Sequence, residues 1–159
     1  WNNSISYQGL TLGFVVSARV GGLVYSATQG ILDYYGGSQA SADARNNGGV
    51  PINYGKIDAK KYYQTISTAE GGYGTYYLYS ATNVRLQELS LSYDFPKKWF
   101  HNKLNLSVGL LARNLWMIYC KAPFDPELSA STSSNFYQGV DYFMQPSTRN
   151  IGFNVKVQF

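Results

Sequence analysis

The chain has 159 residues, enough for one domain, yet only 14% are charged, against about 25% in ordinary soluble domains. Its net charge of +4 is scattered, and Lys60-Lys61 and Lys97-Lys98 are the only adjacent bases; this excludes a basic nucleic-acid-binding stripe. No apolar run approaches the roughly 18 residues of a membrane-crossing helix, while 15 Tyr and 16 Gly suit a β-rich membrane or cell-surface protein.

The first predicted strand lies near residues 6–20. Leu10, Leu12, Phe14, Val16, Ala18 and Val20 share one face, and Thr11, Gly13, Ser17 and Arg19 the other, with Val15 the exception. Only an extended strand turns such period-two alternation into one apolar and one polar face. Residues 21–83 then read as a long loop rich in tyrosine, including Tyr34, Tyr35, Tyr54, Tyr62, Tyr63, Tyr73, Tyr76 and Tyr77. A second strand is predicted over 84–95, where Leu89, Leu91, Tyr93 and Phe95 oppose Glu88, Ser90, Ser92 and Asp94. Its phase breaks over Val84–Gln87, read as strand continuing past the apolar band. Pro96 stops it, and 96–103 form a short polar turn. A third strand covers 104–119, with Leu104, Leu106, Val108, Leu110 and Ala112 against Asn105, Ser107, Gly109 and Arg113; Leu111 breaks the pattern. A second long loop, 120–148, carries Phe136, Tyr137, Tyr142 and Phe143. The last strand, 149–159, alternates most strictly: Ile151, Phe153, Val155, Val157 and Phe159 against Gly152, Asn154, Lys156 and Gln158.

Alternation alone fits a half-buried soluble sheet as well as a wall facing lipid. The connections favour the wall, because short turns on one side and long loops on the other are the habit of transmembrane β-barrels. Compact soluble domains rarely hold structureless loops longer than about 15 residues. Aromatics also gather at strand ends: Tyr93, Phe95, Trp99 and Phe100 at the short turn, Trp116 and Tyr119 at the other end. Interfacial girdles sit in such places. The predicted fold is therefore all-β, an antiparallel transmembrane β-barrel segment of about four strands. Four strands cannot close a barrel, since bacterial ones start at eight, and open edges in hydrocarbon cost several kcal/mol per unsatisfied group. The sequence is expected to be a piece of a larger wall. Its opening Trp1-Asn2-Asn3-Ser4 has neither the basic start nor the apolar core of a signal peptide.

Several segments together resemble the carboxyl-terminal barrel of SusC-like (RagA-like) TonB-dependent outer-membrane transporters of the Bacteroidetes. They are Ser6–Leu12 leading to Ala18–Gly22, Asn83–Tyr93 with Pro96, Ala112–Trp116, Phe124–Glu127, Gln138–Asp141, and the finish from Pro146 to Phe159. Each is weak alone; their order and spacing, over nearly the whole chain, are specific. The resemblance implies a 22-stranded barrel with an amino-terminal plug, neither contained in this sequence. It implies active import of an oligosaccharide or peptide across the outer membrane, driven by TonB acting through the missing amino-terminal part. A SusD-like surface lipoprotein is the implied lid, and outer-membrane lipid and the rest of the barrel are the other partners. The last strand then descends to the periplasm, 96–103 is a periplasmic turn, and 21–83 and 120–148 are extracellular.

No residue set reads as catalytic, and no cofactor, metal or enzyme activity is expected. His101, the only histidine, has no partners for a triad or a metal site and reads as a solvated turn residue. Asp125 and Glu127 flank Pro126, which reads as a loop-entrance turn in preference to a cation site. Cys120 is alone, which forbids an internal disulfide. The charges Arg19, Glu88, Asp94, Arg113 and Lys156 all fall on the polar phase, so in a barrel they face the lumen. Hairpin register across the short turn predicts a Glu88–Arg113 contact, because a semi-buried charge needs a partner. Substrate or lid contacts are sought in the tyrosines, with Tyr34, Tyr35, Tyr62, Tyr63, Tyr76, Tyr77, Tyr137 and Tyr142 as candidates, since amphipathic rings stack on sugars or pack on protein. For most of them packing within the loop is the competing role.

The alternative reading is a soluble secreted β-sandwich that binds carbohydrate through surface aromatics. In a sandwich, Leu10, Leu12, Phe14, Leu89 and Leu91 pack against a second sheet about 10 Å away; in a barrel they point outward and touch no protein. A passive porin wall is a lesser option.

Overall fold

The computed structural model describes residues 1–67, 73–101, 103–128 and 137–158; Phe136 and the terminal Phe159 lie outside them. In chain order the elements are β1 (Asn2–Tyr7), β2 (Leu10–Arg19), β3 (Leu23–Ser26), α1 (Ala27–Tyr35), α2 (Gln39–Asn46), β4 (Val50–Ile52), β5 (Gly55–Ile57), α3 (Ala59–Ile66), β6 (Leu78–Ser80), β7 (Asn83–Asp94), β8 (Asn105–Cys120), β9 (Val140–Asp141) and β10 (Asn150–Gln158). The protein is mostly β-strand with short helices, and none of the described helices is long and apolar enough to cross a membrane. The residues fall into two compact units: Trp1–Val20 with Thr82–Pro123 and the stretch from Ser147, and Gly21–Ala81 with Phe124–Pro146.

The first unit is one antiparallel sheet in the order β1-β2-β7-β8-β10. It has five strands where the alternation predicts four. The predicted strand over 6–20 is a hairpin: the chain reverses at Gln8 (φ 46°) and Gly9 (φ 86°), the paired positive φ values of a tight hairpin turn. A Cβ at Gly9 would lie 2.7 Å from the Asp94 carbonyl oxygen, so the position needs glycine on two counts. Polar residues run on through Ser4, Ser6 and Gln8, so alternation alone gives no sign of the reversal.

Pairing puts the apolar residues in register. Leu12, Leu91, Leu110 and Phe153 form one row; Phe14, Leu89, Ala112 and Ile151 form the next. This face is open: Leu110 is 58% exposed, Ile151 76% and Phe153 81%. The packing required of a sandwich is therefore absent among the described residues of this unit. The phase break over Val84–Gln87 is a bulge. Between Glu88 and Leu86 the register slips, leaving Gln87 opposite no residue of β2 and Asn114-Leu115 without partners on β7; Asn114 takes a positive φ of 51°. An extra residue resets the side-chain phase. Leu86 then pairs with Val16 and Trp116, and Val84 with Ala18 and Tyr119. The apolar face thus resumes beyond the bulge, where the sequence reading had it lapse. Among the described residues β1 and β10 each pair on one side only, leaving two unpaired edges.

The second unit corrects the reading of 21–83 as plain loop. It holds α1, α2 and α3, the hairpin β4–β5, and a small sheet in which β3 runs antiparallel to β6 and parallel to β9. Each helix starts at a capping side chain: the Ser26, Ser38 and Asp58 oxygens accept from the backbone N–H of Gln29, Ser41 and Lys61, satisfying donors that a first turn leaves open. Gly36 ends α1 with φ 74°. Val24, Ala59, Ile66, Tyr77 and Ala81 form a small core.

Candidate functional site

Two surfaces gather the predicted residues, one in each unit. On the polar face of the sheet, Glu88 and Arg113 are cross-strand neighbours, and Arg113 Nε lies 3.2 Å from Glu88 Oε2. The pair forms as hairpin register predicts. It lines an open cleft of about 360 Å³ with Gln87, Asn114 and Asn150, so amide side chains surround the two charges. The other polar-phase charges do not join it. Asp94 and Lys156 lie on β7 and β10 with Ser107 of β8 between them, and Arg19 faces Asn83 at the opposite end of the sheet. Arg85, which the sequence reading passed over, is buried on the same phase, its Nη1 donating to Asn114 Oδ1 at 3.5 Å.

The second unit contains a cavity of about 480 Å³ between its three helices, with Tyr34, Tyr35, Arg45, Lys60, Tyr63 and Gln64 on its walls. That volume lies within the usual range of small-molecule sites, about 300–1,000 Å³. Helical spacing explains the gathering. Tyr34 and Tyr35 end α1, Ser41 and Arg45 stand one turn apart on α2, and Lys60, Tyr63 and Gln64 share one side of α3. Arg45 Nη1 donates to the Gly36 carbonyl at 3.0 Å and to Ser41 Oγ at 3.4 Å, which ties α2 to the end of α1. The Lys60 side chain has no ion-pair or hydrogen-bond partner among the described residues.

Asp33 also borders the cavity but is turned inward. It is buried and accepts from the Tyr77 hydroxyl at 3.0 Å and from Gln29 Nε2 at 3.0 Å. Burial, the Asp33 charge and that hydrogen bond push the Tyr77 phenol far above its ordinary value. Tyr63 is raised by burial first and then by Asp33, and Tyr62 by burial first and then by Tyr76. All three are neutral phenols at physiological pH, able to donate and accept hydrogen bonds.

The candidate tyrosines therefore separate. Tyr34, Tyr35 and Tyr63 line the cavity. Tyr62 packs edge-on against Tyr63, centroids 5.2 Å apart. Tyr76, Tyr137 and Tyr142 are exposed but do not line it. Tyr77 is a correction: at 2% exposed it belongs to the core, where its hydroxyl donates to Asp33, and it offers no surface for a contact. Sequence gives Arg45 no role and Lys60 only a place in an adjacent pair of bases, because 21–83 reads as loop; the caps Ser38 and Asp58, each just ahead of a helix-compatible segment, are the available signal. His101 is an exposed turn residue with φ 54°. Asp125 Oδ1 accepts from the Glu127 N–H at 3.1 Å, a turn around Pro126. No group of three metal-ligating side chains occurs among the described residues.

No model of a known protein family matches the sequence. No protein of curated function matches it either. Among solved structures, the chain is similar to one of the RagAB peptide importer in its open-open state, with 21% identity over 96% of this chain and a TM-score of 0.59. This chain covers 15% of the length of that one. The likeness is one of fold, and it extends over part of a much longer chain.

Proposed function

We propose that this chain is the carboxyl-terminal part of the barrel wall of an outer-membrane, TonB-dependent importer that takes up a peptide or oligosaccharide nutrient. The observation that carries the reading is the open apolar face of the sheet, continuous across β2, β7, β8 and β10 and bounded by aromatic side chains at both ends. At the turn end, Tyr93 packs on Phe95 at 4.9 Å and Phe95 on Trp99 at 5.8 Å. At the other end stand Trp116 and Tyr119, both exposed. Val108, level with Tyr93, is separated from Trp116 by eight residues and from Tyr119 by eleven. At ~3.3 Å per residue and a tilt of ~40°, this puts the aromatic ends about 20–28 Å apart along the membrane normal, matching an apolar band about 25 Å tall. The structural likeness to a peptide importer supports the same reading, and the unpaired edges of β1 and β10 call for further strands.

In this reading the sheet crosses the outer membrane, and Glu88, Arg113, Arg19, Asp94 and Lys156 face the lumen or its plug. The turn at 96–103 is periplasmic and the helix-bearing unit is extracellular, where a SusD-like lipoprotein and the cargo meet it. The role is transport and not catalysis. The test is cysteine labelling of the full-length protein in intact cells, in a Cys120→Ser background. A membrane-impermeant maleimide is expected to label Tyr54→Cys, which is fully exposed. It is expected to label Lys98→Cys only after the outer membrane is permeabilised. Equal labelling of both in intact cells, or the reverse order, overturns the topology.

A further inference from the structure

We infer that the cavity between α1, α2 and α3 binds an acidic saccharide, its carboxylate held by Arg45 and Lys60 and its ring face by Tyr35 and Tyr63. The two cations share the cavity wall with tyrosines. The one carboxylate there, Asp33, is already engaged by the Tyr77 and Gln29 donors, so it competes weakly for the cations. Both guanidinium hydrogen bonds of Arg45 among the described residues use Nη1, and a guanidinium has five N–H donors. Nη2 and Nε therefore remain for a carboxylate, which the planar fork matches in two-point geometry. Lys60, unpartnered among the described residues, supplies a second charge.

The choice of a sugar over a peptide follows from what lines the cavity. Its walls come from three helices, whose backbone groups are largely consumed by their own hydrogen bonds. An extended peptide is commonly recognised through its main chain along a sheet edge, and the cavity offers none. It offers side-chain tips instead: the Gln64 amide and the neutral Tyr63 phenol, groups that match ring hydroxyls. Tyr34 stands edge-to-face with Tyr35, at 82° and with centroids 5.0 Å apart, and the Tyr35 ring is 78% exposed, open to a sugar face. The inference rests on the import reading for the ligand's purpose and not for its binding, which unit two performs in detergent solution as well.

The experiment is calorimetric titration of the intact protein in detergent with trigalacturonate, with the neutral galactose trimer, and with tri-aspartate. Trigalacturonate is expected to bind at least ten-fold tighter than the neutral trimer, and to weaken several-fold as salt rises from low to high concentration. Lys60→Gln is expected to weaken it three-fold or more and Arg45→Gln ten-fold or more, with Arg45→Lys between wild type and Arg45→Gln. Arg45 also ties α2 to α1, so Lys60→Gln, which breaks no internal bond, is the variant whose result stands if Arg45→Gln loosens the fold. Equal binding of acidic and neutral trimers overturns the proposal, as does binding indifferent to both substitutions or no binding at all. Tighter binding of tri-aspartate assigns the site to acidic peptides instead. Binding as expected with labelling on the wrong side of the membrane keeps the site and rejects the import reading.

Discussion

The sheet and the helix-bearing unit use apolar side chains in opposite ways. In the sheet, Ile151 and Phe153 stand open while glycine, serine and charged residues occupy the other face. In the second unit Val24, Ile66 and Tyr77 are inside, around a small core of its own, although single apolar residues such as Leu23 and Phe143 stay exposed. The proposed import function accounts for the contrast by giving the two parts different solvents. An open apolar face is tolerable where the surroundings are hydrocarbon, and an apolar core is needed where they are water. The contrast can be broken by substitutions that are costly in one solvent and harmless in the other.

The largest effect is expected at Tyr77. Replacing it with alanine removes a buried ring, worth about 3–5 kcal/mol, and leaves the Asp33 carboxylate short of a donor. Tyr77→Phe keeps the packing and isolates the hydrogen-bond loss, about 1–3 kcal/mol for a buried partner left unsatisfied. Hydrogen exchange is expected to show α1 and α3 of Tyr77→Ala losing protection while β7 and β8 keep theirs. Loss of protection in both units together would mean that the core of the second unit also holds the sheet.

Next in size is Ile151→Arg. Ile151 lies in the row with Phe14, Leu89 and Ala112, midway between the aromatic ends. If that row faces the bilayer centre, arginine there costs about 2–4 kcal/mol. If it faces water, an exposed substitution moves stability by less than about 0.5 kcal/mol. Gly152→Arg, one residue away on the polar phase, where a Cβ meets no neighbour within 4 Å, is the matched control. Denaturant unfolding of the full-length protein in vesicles is expected to show a lowered midpoint for Ile151→Arg alone.

How far the sequence carried the fold differs between the same two regions. Alternation located β2, β7, β8 and β10, and hairpin register found the Glu88–Arg113 contact, because side-chain period and ladder pairing are local rules. The same rules missed β1, whose Asn, Ser and Tyr residues carry little apolar signal, and took a bulge at Gln87 for the end of the apolar face. In the second unit little was legible. Its helices have eight or nine residues, too short to show a clear 3.6-residue pattern, and their apolar faces are small. Tyr77 looked like its exposed neighbour Tyr76, since a phenol serves equally in a core and at a surface. The cavity depends on three helices meeting, which no local pattern announces; only the caps at Ser38 and Asp58 were there to be read.

The smallest effect expected is a pH dependence confined to the second unit. The folded protein raises the Tyr77 phenol above its unfolded value of about 10, through burial first and the Asp33 charge next. A raised phenol holds its proton more tightly when folded. Its contribution to stability is therefore fully present below pH ~10 and is lost as pH rises above that value, by up to about 1.4 kcal/mol per unit. Hydrogen exchange of α1 and α3 between pH 9 and 11, corrected for the intrinsic rate, is expected to show local opening growing with pH, and Tyr77→Phe is expected to flatten that slope. The sheet supplies the internal control, because β7 and β8 contain no buried tyrosine. A slope unchanged in Tyr77→Phe would assign the alkaline loss to Tyr62, Tyr63 or Tyr79, whose phenols are also raised, burial being the first cause in each.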